Sequence, residues 1–184
     1  YYYRNKLEFA FSDRRWLTNM DIPKEEGGPQ NTNGLGFHLP GRFDKILDID
    51  HCYLQKDPSN DIRMAIRKYA IDNNLDFYNV RNHEGLLRNL IIRTSSTGDL
   101  MVILVFRYDD LDIAQMLQTI SDKFPEITSL MYVINEKQND TIWDRDIKLA
   151  NGKPYLLEEM KSPDANTSLK FKVGPVSFYQ TNPD

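Results

Sequence analysis

The sequence predicts an α+β domain, a largely antiparallel sheet with two main helices packed on it. Three observations point there. Strand-length runs dominate the chain, only two stretches carry an apolar stripe of helical period, and strands follow one another through turn signals instead of alternating with helices. Residues Lys6 to Phe11 alternate, with Leu7, Phe9 and Phe11 on one face and Lys6, Glu8 and Ala10 on the other, which is a half-buried strand. Ile22 to Asn33 carries Pro23, Gly27, Gly28 and Pro29 and reads as a surface loop. Leu35 to Leu39 and Lys45 to Ile49 are short strands parted by the turn dipeptide Pro40-Gly41.

Ser59, Asn60 or Asp61 caps a helix running to about Asn73, with Ile62, Ile66, Tyr69 and Ala70 on one stripe. Arg63 and Arg67 lie four apart on a different side, a face that suits either solvent or phosphate. Leu86 to Ser95 and Leu100 to Phe106 flank Ser96-Thr97-Gly98-Asp99 as a hairpin. The second of these strands is apolar at every position and belongs in the middle of a sheet covered on both faces. Asp112 caps a second helix with Ile113, Met116, Leu117, Ile120 and Phe124 buried, and Pro125 stops it. Further strands fall near Ser129 to Ile134, Pro154 to Met160 and Leu169 to Val173.

The 184 residues are 40% hydrophobic, enough for a real core, which excludes a disordered tail or a disulfide scaffold. With 23 basic and 27 acidic residues the net charge is −4, so any contact with RNA must come from a local patch and not from the global field. The lone cysteine, Cys52, has no internal disulfide partner. With no signal-like segment or membrane-length apolar run, this gives the expectation of a cytoplasmic chain with neither membrane nor DNA as partner. The opening Tyr1-Tyr2-Tyr3 and the closing Thr181-Asn182-Pro183-Asp184 read as the edges of a piece of a longer protein.

Nucleotide loops are missing from the pattern. The only Gly-x-Gly, Gly34-Leu35-Gly36, runs into a strand and not a helix, and there is no Gly-x-x-x-x-Gly-Lys. Asp48, Asp50, His51 and Cys52 group four ligating residue types, but neighbours on a strand point to opposite faces, so at most two meet one metal. Cys52 with His38, His51 or His83 gives the elements of a thiol nucleophile, a pairing that sequence alone cannot place in space. Phe171 to Gln180, with Lys172, Phe178 and Tyr179 around the turn at Gly174-Pro175, combines aromatic and amide groups suited to stacking on bases. An amphipathic edge strand accounts for the same pattern.

Four ordered blocks carry a resemblance. They are Tyr3-Arg4-Asn5-Lys6; Leu35-Gly36-Phe37-His38 with Asp48-Ile49-Asp50-His51-Cys52-Tyr53-Leu54-Gln55; Gly85-Leu86-Leu87-Arg88-Asn89-Leu90-Ile91-Ile92-Arg93; and Phe178-Tyr179-Gln180-Thr181-Asn182. Together they resemble the bacterial RNA uracil-5-methyltransferases, most closely the 23S ribosomal RNA branch. The resemblance implies that residues 1–176 are the central α+β domain of a multidomain enzyme and that residues 177–184 begin its catalytic domain. The implied reaction adds a cysteine thiolate to carbon 6 of a flipped-out uracil, and carbon 5 then takes a methyl from S-adenosylmethionine. The nucleophile and the base lie beyond Asp184 in this reading, so no catalytic residue is assigned within the chain.

By the same resemblance Gln180 contacts the methyl donor and the target base, Phe178 packs near the RNA, and Arg4 faces RNA. Cys52 takes the place of one of the four cysteines of a 4Fe-4S cluster found in some members, a set that one thiolate cannot complete. The expected partner is ribosomal RNA. Two competing readings are a stand-alone protein-interaction module with an aromatic sheet face and a small hydrolase using Cys52.

Overall fold

In the computed structural model, which describes residues 1–17, 31–162 and 167–179, the organising strand is the apolar run at Leu100–Phe106. Numbered in chain order, the elements are β1 (Lys6–Ser12), β2 (Gly34–Leu39), β3 (Arg42–Asp48), α1 (Ser59–Asp72), β4 (Leu87–Thr94), β5 (Leu100–Phe106), α2 (Leu111–Lys123), β6 (Ser129–Ile134), β7 (Ile147–Gly152), β8 (Leu156–Lys161) and β9 (Ser168–Val173). Every residue of β5 is buried, as a strand covered on both faces requires. It lies within a seven-stranded sheet of order β3-β2-β1-β4-β5-β6-β7. All neighbours run antiparallel except β5 and β6, which are parallel and joined through α2. The protein is an α+β domain with a largely antiparallel sheet and two helices.

The two faces of the sheet are covered differently. Leu7, Phe9 and Phe11 of β1, with Leu90, Ile92, Val102, Leu104 and Phe106, pack under both helices; α1 contributes Ile62, Ile66 and Ala70, and α2 contributes Ile113, Met116, Leu117 and Ile120. On the reverse face Ile91, Met101, Ile103, Val105, Met131 and Val133 are covered by Leu156 and Val173 of the β8–β9 hairpin. That cover reaches from β4 to β6, and β1 to β3 contribute nothing to it.

Most expected elements are present, with shifts at their ends. The residue preceding α1 is Pro58, with no side-chain cap; Ser59 and Asn60 are the first two helical residues and both are buried. Asn60 faces backwards instead, accepting from the Cys52 amide at 2.7 Å and donating to the Cys52 carbonyl and the Asp57 carboxylate. The cap of α2 is Asp110, whose carboxylate accepts from the Asp112 amide at 2.9 Å, and Asp112 sits in the first turn. No pattern in the sequence predicts the strand β7. It is an exposed edge strand whose pairing with β6, not its own pattern, defines it. The loop expected over Ile22 to Asn33 falls outside the described residues apart from Asn31 to Asn33.

Two block glycines are fixed by close approach. A Cβ on Gly36 would stand 1.8 Å from the Leu47 carbonyl oxygen across the β2–β3 pair. Gly85 has φ +99°, and a Cβ there would stand 2.3 Å from the Phe77 carbonyl oxygen. Among the described residues no helix is long and apolar enough to cross a membrane.

Candidate nucleic-acid interface

The pairing of β1 with β4 sets Lys6 opposite Arg93 at one end of the sheet, and four distant segments meet there. The Arg4 amide donates to the Leu54 carbonyl at 2.9 Å, and the Thr94 amide donates to the Asn5 carbonyl at 2.9 Å. Gln55 Nε2 reaches the Ile92 carbonyl at 3.4 Å. Arg93, only 3% exposed, crosses to the end of the chain, donating to the carbonyls of Gly174 and Pro175 at 2.9 Å and of Ser177 at 3.1 Å. Arg4-Asn5, Leu54-Gln55, Ile92-Arg93 and the segment leading into Phe178 are therefore one place in space.

What Arg93 fixes is the segment carrying Phe178. Directly beyond the clamp Phe178 is 99% exposed, whereas Tyr179 turns inward and donates to Glu158 Oε2 at 2.8 Å. Glu158 is buried and accepts in addition from the Ser96 amide, the Ser96 hydroxyl and the Glu159 amide. Burial pulls the Glu158 carboxyl up, but these donors outweigh it and hold the carboxyl below its ordinary value. Burial and the adjacent Glu158 push the Tyr179 hydroxyl up to about 12, against the opposing pull of Asn5 and Arg93. An exposed aromatic between the clamped Ser177 and the anchored Tyr179 can stack on a base at low entropic cost, because its backbone is already set.

A groove of about 410 Å³ opens beside this junction, lined by Tyr2, Arg4, Asn5, Lys56, Glu158 and Tyr179 among others. Asp57, Asp99 and Glu126 also line it, so carboxylates outnumber cations and the groove does not attract phosphate. Arg4 is half-buried with its guanidinium carbon 5.4 Å from the centre of the Tyr3 ring. The structure thus brings Arg4 to the same junction as the segment bearing Phe178. Gln180, with Thr181 and Asn182, lies outside the described residues.

Arg63 and Arg67 are neither a solvated face nor a phosphate contact. Arg63 is fully buried and donates to the carbonyls of Leu35, Ile49 and Asp50. Arg67 pairs with Asp48 at 2.5 Å. The group Asp48, Asp50, His51 and Cys52 is correspondingly dispersed. Asp48 serves Arg67 and the Leu35 amide, His51 sits edge-on to Tyr53, and Cys52 is 5% exposed within the helix-side core. No cluster of three or more ligating side chains occurs among the described residues. An iron–sulfur cluster needs four ligands, so this chain's residues do not fit that group by themselves. The burial of Cys52 also withholds its thiol from a substrate, which removes the hydrolase reading.

The features the sequence did not disclose are the arginine clamps. Arg88, also fully buried, donates to the carbonyls of Asn135, Lys137 and Asn139 and to Asp140 Oδ1, and its guanidinium carbon stands 4.5 Å from the centre of the Tyr78 ring. A charged residue inside an otherwise apolar strand, as at Arg88 and Arg93, was the available signal.

Comparison with known proteins gives the junction its context. No family model matches the chain. A protein of Bacteroides thetaiotaomicron named an uncharacterized RNA methyltransferase is 54% identical over 98% of this chain, and one of Porphyromonas gingivalis with the same name is 49% identical over 98%. A third, from Chlorobaculum tepidum, is 34% identical over 98%. The chain is similar to one segment of these RNA methyltransferases. It spans about two fifths of their length, 39% of the first two and 37% of the third. Among solved structures, Pyrococcus abyssi tRNA (uracil-54, C5)-methyltransferase in complex with S-adenosyl-L-homocysteine matches with a TM-score of 0.67 at 20% identity. The match covers 98% of this chain and 37% of that one, and it shows a shared fold.

Proposed function

We propose that this chain is the central RNA-docking and scaffold domain of an S-adenosylmethionine-dependent RNA (uracil-5-)-methyltransferase acting on 23S ribosomal RNA. The observation that carries the reading is the 54% identity to a protein named an RNA methyltransferase, sustained over 98% of the chain. The fold shared with a tRNA uracil methyltransferase and the convergence of residues from the four blocks support it. Residues 1–176 form the domain in this reading, and residues 177–184 lead into the part that carries the donor site and nucleophile. Phe178 offers its exposed ring to RNA, Arg4 faces RNA from the groove, and Gln180 contacts donor and target base. S-adenosylmethionine supplies the methyl group, and this chain's residues hold and orient the strand. The protein works in the cytoplasm, where ribosomal RNA is made.

The test incubates the full-length protein that contains this chain with isotopically labelled S-adenosylmethionine and unmodified 23S ribosomal RNA or transfer RNA. Label at carbon 5 of a ribosomal RNA uridine is the expected result. Label on transfer RNA alone overturns the ribosomal assignment, and no label on either overturns the methyltransferase reading. One observation favours a protein-interaction role as well: Met160, Leu169 and Phe171 of the β8–β9 hairpin are 54%, 57% and 43% exposed. Retention of a partner by the wild-type chain but not by a Phe171→Ser variant checks it.

A further inference from the structure

Among the described residues the β8–β9 hairpin does not extend over β1 to β3 on the reverse face, and two hollows lie there beside the 138–143 segment. The first, of about 390 Å³, runs over β1 and β4 between Trp143 and the turn at Pro175 to Ser177, with Ile91 on its floor and Lys6 and Glu8 at its side. The second, of about 280 Å³, adjoins it through the shared residue Asp140 and is lined by Asn89, His38 and Phe43 among others. Both are shaped before any ligand arrives. Arg88 fixes the 135–140 segment through three carbonyls, and Arg93 fixes the opposite wall through three more. Past Asp140 the segment is held further by Lys137, which binds Thr141 Oγ1 at 2.8 Å and Asp144 at 2.5 Å.

Each hollow has an aromatic ring exposed to solvent, Trp143 at the first and Phe43 of β3 at the second. Trp143 is 72% exposed and Phe43 is 64% exposed, the latter with the Arg81 guanidinium 5.6 Å from its ring centre. Their polar lining mixes donors and acceptors, but Arg88 and Arg93 are committed to backbone carbonyls and Lys6 stands 3.8 Å from Glu8, so the buried neutral side-chain atom left without a partner is an acceptor. Asn89 is 5% exposed and its Oδ1 has no hydrogen-bond partner among the described residues. Glu8 and Asp140 add carboxylates, and burial followed by Asp140 raises the Glu8 carboxyl despite Lys6 and His38. Apolar floors, flat aromatic edges and a few convergent acceptors suit a flat ligand that offers N–H groups.

Resting on the RNA reading above, we propose that the two hollows seat two neighbouring unpaired bases of single-stranded RNA, stacked on Trp143 and Phe43. The acceptors Glu8, Asp140 and Asn89 Oδ1 favour bases that carry an exocyclic amino group. Carboxylates and amide oxygens accept from the amino groups of cytosine, adenine and guanine, whereas uracil offers a single N3–H flanked by two carbonyl oxygens that repel them. The seated bases are therefore neighbours of the modified uracil and not the uracil itself.

The test uses the whole chain and short fluorescent single-stranded RNAs of A, C or U, with affinity read by anisotropy. The A and C strands should bind more tightly than U. Trp143→Ala should weaken binding about tenfold and Trp143→Phe should restore most of it. Glu8→Met should reduce the preference over U, and Lys148→Ala on the far edge strand should change nothing; thermal melts verify that each variant folds. If the chain binds RNA but Trp143→Ala and Phe43→Ala bind as the wild type does, or if A, C and U bind equally, the hollows are not base seats while the docking reading stands. If no strand binds more tightly than about 10⁻⁴ M, both fall. A dimer in sedimentation that Trp143→Ala dissociates, with RNA affinity unchanged, makes the face a protein contact and overturns the proposal.

Discussion

Replacing Arg93 with methionine removes the clamp while keeping comparable bulk in β4. The guanidinium makes three bonds to carbonyls of Gly174, Pro175 and Ser177, and charge-assisted bonds contribute roughly 1.5–3 kcal/mol each. Those carbonyls belong to partly exposed residues, so water replaces the lost donor and the low end applies, about 4–5 kcal/mol in total. Burying a cation costs several kcal/mol, and methionine relieves part of that, leaving a net loss of about 2 kcal/mol. At about 2.1 cal/mol/K of unfolding entropy per residue over 184 residues, Tm falls by about 5 °C. Differential scanning calorimetry reads the global effect. Hydrogen exchange reads the local one, as the Ser177 amide, now bonded to the Gly174 carbonyl at 3.2 Å, exchanges roughly 30-fold faster. A Tm within about 1 °C of wild type with unchanged exchange at 174–179 refutes the argument that Arg93 positions the Phe178 segment.

Three further outcomes follow from the same geometry. Glu158, held below its ordinary 4.5, adds stability above that pH and loses it as the pH falls further; Tyr179, raised to about 12, adds stability below pH 10 and loses it as the pH rises through 12. Urea midpoints across pH should therefore show an alkaline decline that Tyr179→Phe abolishes, together with a smaller acid decline in that variant. Gly85→Ala forces a side chain into φ +99° and onto the Phe77 carbonyl, costing roughly 2–3 kcal/mol, read as a Tm about 5–8 °C lower. Cys52, at 5% exposure, should react with iodoacetamide roughly a hundredfold more slowly in the native protein than in urea, followed by mass spectrometry.

Some of this was legible in the residues and some was not. β5 could be read because seven consecutive apolar residues have few alternatives to a central strand, and α2 because its stripe and Pro125 agree. β7 could not, since Ile147–Gly152 is mostly exposed and acquires its identity from β6. Caps slipped because Asn60, a good capping residue, found better partners in the Cys52 backbone. Arg63 looked solvated because spacing four residues from Arg67 describes a helix face, while the carbonyls that bury it arrive from β2 and the segment after β3. The Phe178 block suggested stacking by its aromatic and amide residues and the Arg4 block only through resemblance; that they adjoin is a property of the β1–β4 pairing and the Arg93 bonds.

That pairing divides the domain into unequal halves. From β4 through β7 the chain folds on near neighbours, by one hairpin and one helix crossover, whereas β1 must find β4 across the gap from Lys6 to Arg93. Contacts so remote in sequence carry a larger loop-closure cost, so native-state hydrogen exchange is expected to show β1 to β3 with α1 opening before β4 to β6. The first hollow straddles this seam, with Lys6 and Glu8 on one side and Ile91 and Arg93 on the other. A ligand lodged there acts as a stitch across the joint, and its tightness is measured by how far it slows that opening.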